Sequence, residues 1–321
     1  MTTLSVIVPA RNVQGYVGDM LRGLAANARD DFEYIVVDDG STDRTPEILA
    51  AAAERIPQLT VVRHDQAKGL SGARNAGLAV STGRYISYLD GDDWVVPGYF
   101  ADLVEAIDGL GCDFVRVDHI QVFGRRRVVE RAPAPRRGVV LKPRESILPA
   151  HDKTMVDYPY AWAGVFRREL ADAGMLTFDE PLLTAEDRPW IWRLHRLAGS
   201  YAVVSLAGLH YRREVAGSLT QVGDARQLHF FDSFDMVLAE LADDPDRVGY
   251  TRKAVRTYLA VIAHHLSERE RLTPALRRQL RARARTTIKG MPPEVLAEVL
   301  PGLGGERTRL FTQQLGTDVI L

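Results

Sequence analysis

Short apolar runs, each followed by polar residues, dominate the first ninety residues of the chain. The runs are Leu4–Val8, Phe32–Val37, Leu59–Val62 and Tyr85–Leu89. Continuous apolar runs of this length are typical of strands buried on both faces of a parallel sheet. Between the first two runs, Val17, Leu21 and Leu24 recur at helical spacing. This alternation predicts an α/β fold, Rossmann-like, with a doubly wound and mostly parallel sheet.

The pattern changes in the second half of the chain. The segment 124–144 is rich in Arg and Pro, and we expect an irregular, solvated excursion there, with contact to an anionic acceptor as the alternative. From Gln221 onward only helical spacing remains, as in Val255, Leu259 and Ile262. We therefore expect two parts, an α/β domain over residues 1–220 and an all-helical C-terminal extension over residues 221–321.

Composition narrows the class of protein. The chain has 321 residues, 46% of them hydrophobic, and a net charge of −1, which gives no general attraction to nucleic acid. The lone Cys112 excludes an internal disulfide and a Cys-rich zinc site. No apolar run approaches the length of a membrane span, and the N-terminus lacks the pattern of a signal peptide. We expect a cytoplasmic protein.

An arginine-rich helical segment bears on whether the protein binds the membrane. The segment 276–288 contains five arginines, Arg277, Arg278, Arg281, Arg283 and Arg285. A solvated helix face is the expected arrangement, because the apolar side of this segment is weak. The alternative is a helix that lies on an anionic membrane surface, which would place the protein peripherally at the inner face of the membrane.

Acidic residues follow two of the apolar runs directly. Asp38 and Asp39 come after the second run, and Asp90, Asp92 and Asp93 come after the fourth. The carboxyl ends of parallel strands meet at one edge of the sheet, where open α/β folds bind ligands. Dense carboxylates favour a hard divalent cation that bridges to phosphate oxygens. The first strand is followed by Pro-Ala-Arg-Asn, and the chain has neither a Gly-x-Gly-x-x-Gly turn nor a Gly-Lys-Ser/Thr loop. These absences argue against a Rossmann dinucleotide site and a Walker-type phosphate loop.

Five motifs taken together resemble family 2 glycosyltransferases, the inverting class with a GT-A fold. They are Ser5–Pro9, Val37–Asp43, Gly72–Gly77, Tyr88–Asp93 and Glu186–Asp187. The resemblance covers roughly residues 1–220. It implies transfer of a sugar from a nucleotide-diphosphate donor, usually UDP, to a hydroxyl of a glycan or other cell-surface acceptor, with Mn²⁺ or Mg²⁺ as the cofactor.

The resemblance also implies roles for individual residues. Pro9 and Asp39 correspond to positions that frame the nucleotide base, and Arg74 to the donor-site arginine. Asp90 corresponds to the ribose contact and Asp92 to the metal ligand.

Other positions complete the expected site. Asp187 corresponds to the general base, next to Glu186, and Trp162 is expected with Glu186 on the acceptor side. His210 and Arg212 lie where related enzymes place metal- or diphosphate-binding groups.

The chain departs from the family pattern at two places. Arg11 stands where many members have an aromatic residue that stacks on the base, and a guanidinium can also stack. Lys68 stands where an Asn is common, and we expect it to reach toward phosphate.

Two other functions remain as alternatives: a nucleotidyltransferase on a similar sheet and a sugar-nucleotide-binding scaffold without turnover. The helical extension is a candidate oligomerisation module. The sugar, the acceptor and the linkage are not specified by these residues.

Overall fold

A large mixed sheet forms the centre of the protein in the computed structural model, which describes residues 1–215 and 223–319. Within those ranges the strand order is β10-β6-β9-β4-β1-β2-β3. The strands of this sheet are β1 (Leu4–Ala10), β2 (Phe32–Asp39), β3 (Leu59–His64), β4 (Tyr85–Tyr88), β6 (Phe114–Val117), β9 (Gly164–Arg167) and β10 (Tyr201–Val204).

The four predicted apolar runs are neighbouring parallel strands. β1 pairs in parallel with both β2 and β4, and β2 pairs in parallel with β3. Every residue of β1 and of β4 is buried, which explains the continuous apolar sequence of these strands. The α/β architecture and its mostly parallel sheet are confirmed.

One strand of the sheet runs against the others and was not recognised in the sequence. β9 lies antiparallel between β4 and β6, within the aromatic-rich segment. Gly164 allows the close approach, since a Cβ there would lie 2.3 Å from the backbone oxygen of Val115. Of the four aromatic residues in that segment, Phe166 lies in β9, and Tyr158, Tyr160 and Trp162 precede the strand.

A smaller sheet packs beside the large one. Its order is β5-β11-β7-β8, and its strands are β5 (Trp94–Val95), β7 (His119–Phe123), β8 (Arg126–Glu130) and β11 (Leu209–Arg212). β7 and β8 form an antiparallel hairpin. The expectation of an irregular excursion over 124–144 is therefore wrong for β8, because all five of its residues pair with β7. Its arginines are exposed on an edge strand, so the segment resembles a solvated loop in sequence.

Helices connect these strands and make up the C-terminal region of the described chain. They are α1 (Val17–Ala26), α2 (Thr45–Ala53), α3 (Gly69–Val80), α4 (Tyr99–Leu110), α5 (Arg168–Asp172), α6 (Asp187–Leu197), α7 (His229–Leu241), α8 (Arg247–Ser267), α9 (Pro274–Gly290), α10 (Pro293–Val299) and α11 (Gly305–Leu315). The C-terminal helical extension is confirmed for the part of the chain that the structure covers. The predicted boundary at residues 220 and 221 lies outside the described residues, so the division into two domains stays a prediction.

The helical extension shares its core with the α/β part of the molecule. Val237 and Leu241 of α7 and Tyr250 and Ala254 of α8 pack into the main hydrophobic core. A second core, which includes Phe231, Phe234, Tyr258 and Leu259, joins α7 and α8 to the later helices. The first two helices of the extension are therefore structural neighbours of the sheet.

Ion pairs also fasten the extension to the α/β part. Asp244 accepts hydrogen bonds from Arg144 (2.6 Å) and from Arg196 (2.9 Å). The ammonium group of Lys253 is buried and pairs with Asp157, whose other oxygen accepts from Thr257 (2.9 Å). Removing one partner of such a buried pair is costly, because the other charge is left without compensation. Among the described residues, no helix is long and apolar enough to cross a membrane.

Candidate active site

A cleft of about 1070 Å³ opens at the carboxyl ends of β1, β2 and β4. Ten of the residues proposed from the sequence line it: Pro9, Arg11, Asp39, Lys68, Arg74, Asp90, Asp92, Trp162, Glu186 and Asp187. They come from strands and loops that are far apart in sequence. The parallel order of β1, β2 and β4 brings their following residues to one edge of the sheet, as the sequence pattern predicts.

Glycine shapes the floor of the cleft. Gly91 separates Asp90 from Asp92, and a Cβ at Gly91 would lie 3.0 Å from the backbone oxygen of Pro9. The loop after β4 can therefore pass directly over the end of β1. This contact holds both carboxylates of the loop at the mouth of the sheet.

Asp39 is a buried carboxylate with three donors. Its Oδ1 accepts from Nδ1 of His64 (2.8 Å) and from the backbone nitrogen of Lys68 (2.7 Å). Among the residues that the structure describes, its Oδ2 accepts one hydrogen bond, from the backbone nitrogen of Gly69 (2.9 Å). A carboxylate oxygen can accept two hydrogen bonds, so Oδ2 keeps one acceptor position that a nucleotide base N–H could use.

Arg74 ties the two ends of the cleft together. Its guanidinium is almost fully buried and donates to Asp90 (3.0 Å) at the end of β4 and to Glu186 (2.9 Å) before α6. It also lies 5.0 Å from the ring centroid of Phe178. Burial would lower the pKa of Arg74, but the charges of Asp90 and Glu186 outweigh it and raise that pKa. With two of its nitrogens committed, Arg74 positions other site residues.

The acidic loop separates into residues with different surroundings. Burial, together with the charge of Asp90, raises the pKa of Asp92 to about 6. Asp93 is fully buried, and its Oδ1 accepts from the backbone nitrogen of Arg212 (2.7 Å). Burial raises the pKa of Asp93 well above its usual value. Asp93 therefore supports the loop from behind, whereas Asp92 lines the cleft.

Asp187 begins α6 from an unusual turn. Ala185, two residues before Asp187, has a φ of 58°. This conformation costs a residue with a side chain about 1 kcal/mol or more. The backbone oxygen of Ala185 accepts from Ser233 of α7 (2.8 Å), which helps to hold the turn. Burial, together with the charge of Glu186, raises the pKa of Asp187 to about 7. A carboxylate with that pKa is suited to proton transfer near neutral pH.

Aromatic side chains form one wall of the cleft. Trp162 stacks on Tyr160, with ring centroids 4.8 Å apart, and lies 5.1 Å from Tyr211. His119 meets Trp162 edge-on at 4.7 Å. Trp162 is mostly buried among these rings and presents only a narrow edge to the cleft, so its first role is to rigidify the wall.

Two predicted site residues take other positions. His210 and Arg212 are absent from the described lining of the cleft. His210 stacks on Trp94 at 5.0 Å, and Arg212 donates to Asp19 (2.7 Å) and to the backbone oxygen of Asp92 (3.0 Å). Arg212 clamps the acidic loop against α1. The metal- or diphosphate-binding roles expected for His210 and Arg212 stay predictions.

Strand alternation explains these positions. In β11, His210 and Arg212 point to one face of the small sheet and Tyr211 to the other. Tyr211 lines the cleft, as does Arg213 just beyond the strand. Applying the two-residue period to this segment would have selected Tyr211 and Arg213 from the sequence.

The helical extension supplies lining residues that the sequence did not reveal. They are Arg226, Gln227, Phe230, Phe234, Val261, His264, His265 and Arg271. Asp157, which pairs with the buried Lys253, also lines this end. These residues belong to ordinary amphipathic helices or loops, and only the docking of the extension brings them to the cleft.

The described residues contain no group of three or more His, Cys, Asp or Glu side chains that could hold a metal ion by themselves. Magnesium and related cations commonly bind through one or two carboxylates together with substrate phosphates. Asp92 and the oxygen of Asp90 that Arg74 does not engage fit such a shared site.

Comparison with known proteins agrees with this fold. Residues 5–173 match the model of glycosyl transferase family 2. The glycosyltransferase EpsJ of Bacillus subtilis is 34% identical over 68% of this chain, and the match spans 63% of EpsJ.

Solved structures share the fold. TarS of Staphylococcus aureus in complex with UDP-GlcNAc aligns with a TM-score of 0.75 at 20% identity, over 99% of this chain and 89% of that one. The mannosyltransferase PcManGT from Pyrobaculum calidifontis, in complex with GDP-Man and Mn²⁺, gives a TM-score of 0.57 at 17% identity, over 99% of this chain and 85% of that one. The chain belongs to glycosyl transferase family 2 and has the GT-A fold.

Proposed function

We propose that this protein transfers a sugar, with inversion, from a UDP-sugar donor to a hydroxyl of a glycan or polymer acceptor. The observation that carries the proposal is the bridge made by Arg74, which links Asp90 at the donor end to Glu186 beside Asp187. It holds a nucleotide-binding carboxylate and a candidate base in one cleft. Family membership and the structural likeness to TarS in its UDP-GlcNAc complex support the choice of donor.

The reaction needs a proton acceptor on the far side of the sugar from the leaving group. The acceptor oxygen forms a bond to the anomeric carbon while the bond from that carbon to the diphosphate oxygen breaks. Asp187 takes the hydroxyl proton, and the nucleoside diphosphate leaves. Such general base catalysis contributes typically about 10² to 10⁴ in rate. One displacement without a covalent sugar–enzyme intermediate inverts the anomeric centre.

The donor end offers groups for the nucleotide diphosphate. Asp39 keeps an acceptor position for the base, and Pro9 and Arg11 line the space beside it. Lys68 is exposed at the cleft and free to approach phosphate. Mn²⁺ or Mg²⁺ held by Asp92 and Asp90 would supply Lewis-acid stabilisation of the leaving diphosphate, and the Mn²⁺ complex of PcManGT supports this assignment.

Two observations support a polymeric acceptor: the shape of the cleft on the side of Asp187 and the description of a relative. TarS is described as a poly(ribitol-phosphate) β-N-acetylglucosaminyltransferase, which acts on a polymer. The wide cleft between the aromatic wall of Trp162 and the helical extension would admit a chain of sugars or polyol units.

A thermal-shift panel tests the donor assignment. UDP-sugars with Mn²⁺ should raise the melting temperature, because a ligand at about 100 times its Kd adds roughly 2.7 kcal/mol to the stability of the folded state. The Asp92→Asn variant should lose the part of the shift that depends on Mn²⁺. Asp65→Asn, a change of an exposed carboxylate outside the cleft, should keep it.

Turnover is followed separately by the release of UDP. Release of pyrophosphate from a nucleoside triphosphate would instead identify a nucleotidyltransferase. Binding of UDP-sugars without any release of UDP, with a range of glycan acceptors, would identify a scaffold. A panel in which no nucleotide sugar raises the melting temperature would refute the donor proposal.

A further inference from the structure

The hairpin formed by β7 and β8 carries a concentration of positive charge that the proposed reaction does not use. Its arginines, and those of the segment that follows it, are exposed: Arg125, Arg126, Arg127, Arg131 and Arg136. We call residues 119–136 the basic hairpin. Among the described residues, none of these five guanidinium groups lies within ion-pair distance of a carboxylate.

The acidic residues of the same region are already neutralised. Glu130 pairs with Lys153 (2.7 Å), and Asp118 pairs with Arg137 (3.0 Å). The five exposed arginines therefore face solvent as an uncompensated positive surface. That surface is strongly basic although the whole chain has a net charge of −1.

An exposed apolar side chain lies within this positive surface. Val129 of β8 is 53% exposed, and it shares a strand face with Arg127, since side chains alternate along a strand. Within the described chain β8 is an edge strand that pairs only with β7. Arg126 projects from the other face of this edge strand. Exposed cations beside an exposed apolar side chain are typical of surfaces that lie at the boundary of headgroups and acyl chains.

The arginines of α9 are arranged differently. Arg277 pairs with Glu270 (2.9 Å), Arg283 pairs with Asp232 (2.5 Å), and Arg285 donates to the backbone oxygen of Leu315. Three of the five arginines in the segment 276–288, for which membrane binding was the alternative, are thus engaged within the protein. This engagement makes α9 a weaker candidate for membrane binding than the hairpin.

We propose that the basic hairpin binds the surface of an anionic lipid bilayer. Clusters of four to eight basic residues are attracted to anionic lipids, and Val129 supplies an apolar contact at the interface. The hairpin also adjoins the cleft, because Arg126 of the hairpin and Arg213 of the cleft lie over the same Phe123 ring, at 5.8 and 6.0 Å. Binding through the β8 edge would hold the cleft near the bilayer, on the Arg126 side of the hairpin. This inference does not depend on the proposed reaction.

Vesicle sedimentation tests the proposal with the full chain. The vesicles contain phosphatidylcholine alone or with about 30% phosphatidylglycerol, which supplies the anionic charge. Each basic residue near an anionic surface strengthens binding roughly fivefold. The triple variant Arg125→Gln, Arg126→Gln, Arg131→Gln should therefore lose on the order of 100-fold in partitioning to anionic vesicles.

A matched variant controls for net charge. Arg278→Gln, Arg281→Gln and Arg307→Gln remove the same charge from α9 and α11 and should leave partitioning within about twofold of the unmodified chain, since those residues lie outside the hairpin. Equal melting temperatures of the three proteins establish that all are folded. Val129→Thr should weaken binding severalfold at about 0.5 M salt, where the electrostatic part is screened.

Several outcomes would overturn the proposal. One is partitioning of the unmodified chain that is absent or equal for neutral and anionic vesicles. Another is an equal loss of partitioning in both triple variants. A third is binding of the hairpin to soluble polyglutamate as strongly as to anionic vesicles, which would assign the surface to a free polyanion instead of a bilayer.

Discussion

The two ends of the cleft are built in different ways. At the proposed donor end, Asp39 is the last residue of β2, and Asp90 and Asp92 lie in the short loop after β4. Position in the sequence therefore determines position in the fold at this end. At the proposed acceptor end, the lining comes from the turn before α6, the segment around Asp157 and the helices after residue 223. The donor end is thus local to the sheet, whereas the acceptor end depends on how the helical extension docks.

Arg74 is the point where the two ends meet. It is the residue of α3 that donates to both Asp90 and Glu186. Variants at either end should therefore affect different steps, and a variant at Arg74 should affect both. The predictions below use that difference.

The largest effect is expected from Asp187→Asn. An amide cannot take the proton of the acceptor hydroxyl, so the turnover rate should fall about 10² to 10⁴-fold. UDP binding, measured by calorimetry, should stay within about twofold, since Asp187 belongs to the acceptor end. Asp172→Asn, an exposed change on α5, is the matched control and should have normal turnover. A variant Asp187→Asn with normal turnover would remove the base assignment.

Arg74→Gln should disturb both ends together. It leaves the carboxylates of Asp90 and Glu186 without their shared cation, and breaking a buried ion pair costs about 3–5 kcal/mol. Urea unfolding should show that loss of stability. In separate measurements, UDP binding should be weaker and turnover slower. Arg74→Lys should recover little, because one ammonium group cannot reproduce the fork that reaches two carboxylates. Full recovery by lysine would show that charge alone, without the fork, is what the site requires.

Lys253→Met tests the acceptor end separately. The change leaves Asp157 charged at the cleft without its buried partner, but Asp157 keeps its hydrogen bond from Thr257 and is partly open to solvent. We expect a loss of about 2–3 kcal/mol in the free energy of unfolding, less than for a fully enclosed pair. UDP binding should be unchanged.

The double variant Lys253→Met, Asp157→Asn supplies the control for that experiment. It removes both charges and should regain part of the stability. Weakened UDP binding in Lys253→Met would contradict the separation of the two ends.

The two ends of the cleft also differ in how well the sequence predicts them. The strand ends place Asp39, Asp90 and Asp92 correctly because a buried parallel strand leaves its next residues at the edge of the sheet. The antiparallel β9 is not evident in the sequence, because its four residues, Gly164–Arg167, show no clear two-residue alternation and follow a cluster of aromatic residues. Phe230 and His265 could not be assigned to the cleft, because an amphipathic helix shows which face is buried but not what covers it.

The smallest effect expected is on the pH dependence. Burial raises the pKa of Asp187 to about 7, and only its ionised form can accept a proton. Turnover with a saturating donor should therefore fall as the pH drops through about 7, close to tenfold for each unit below it. Above pH 8 this group should impose no further increase in turnover.

In Arg74→Gln the pKa of Asp187 should rise, since a neighbouring positive charge is removed. The acid limb of the pH profile should therefore move to higher pH. An acid limb that stays in place in that variant would show that Arg74 does not act electrostatically on the base, and the two ends of the cleft would then be coupled through packing alone.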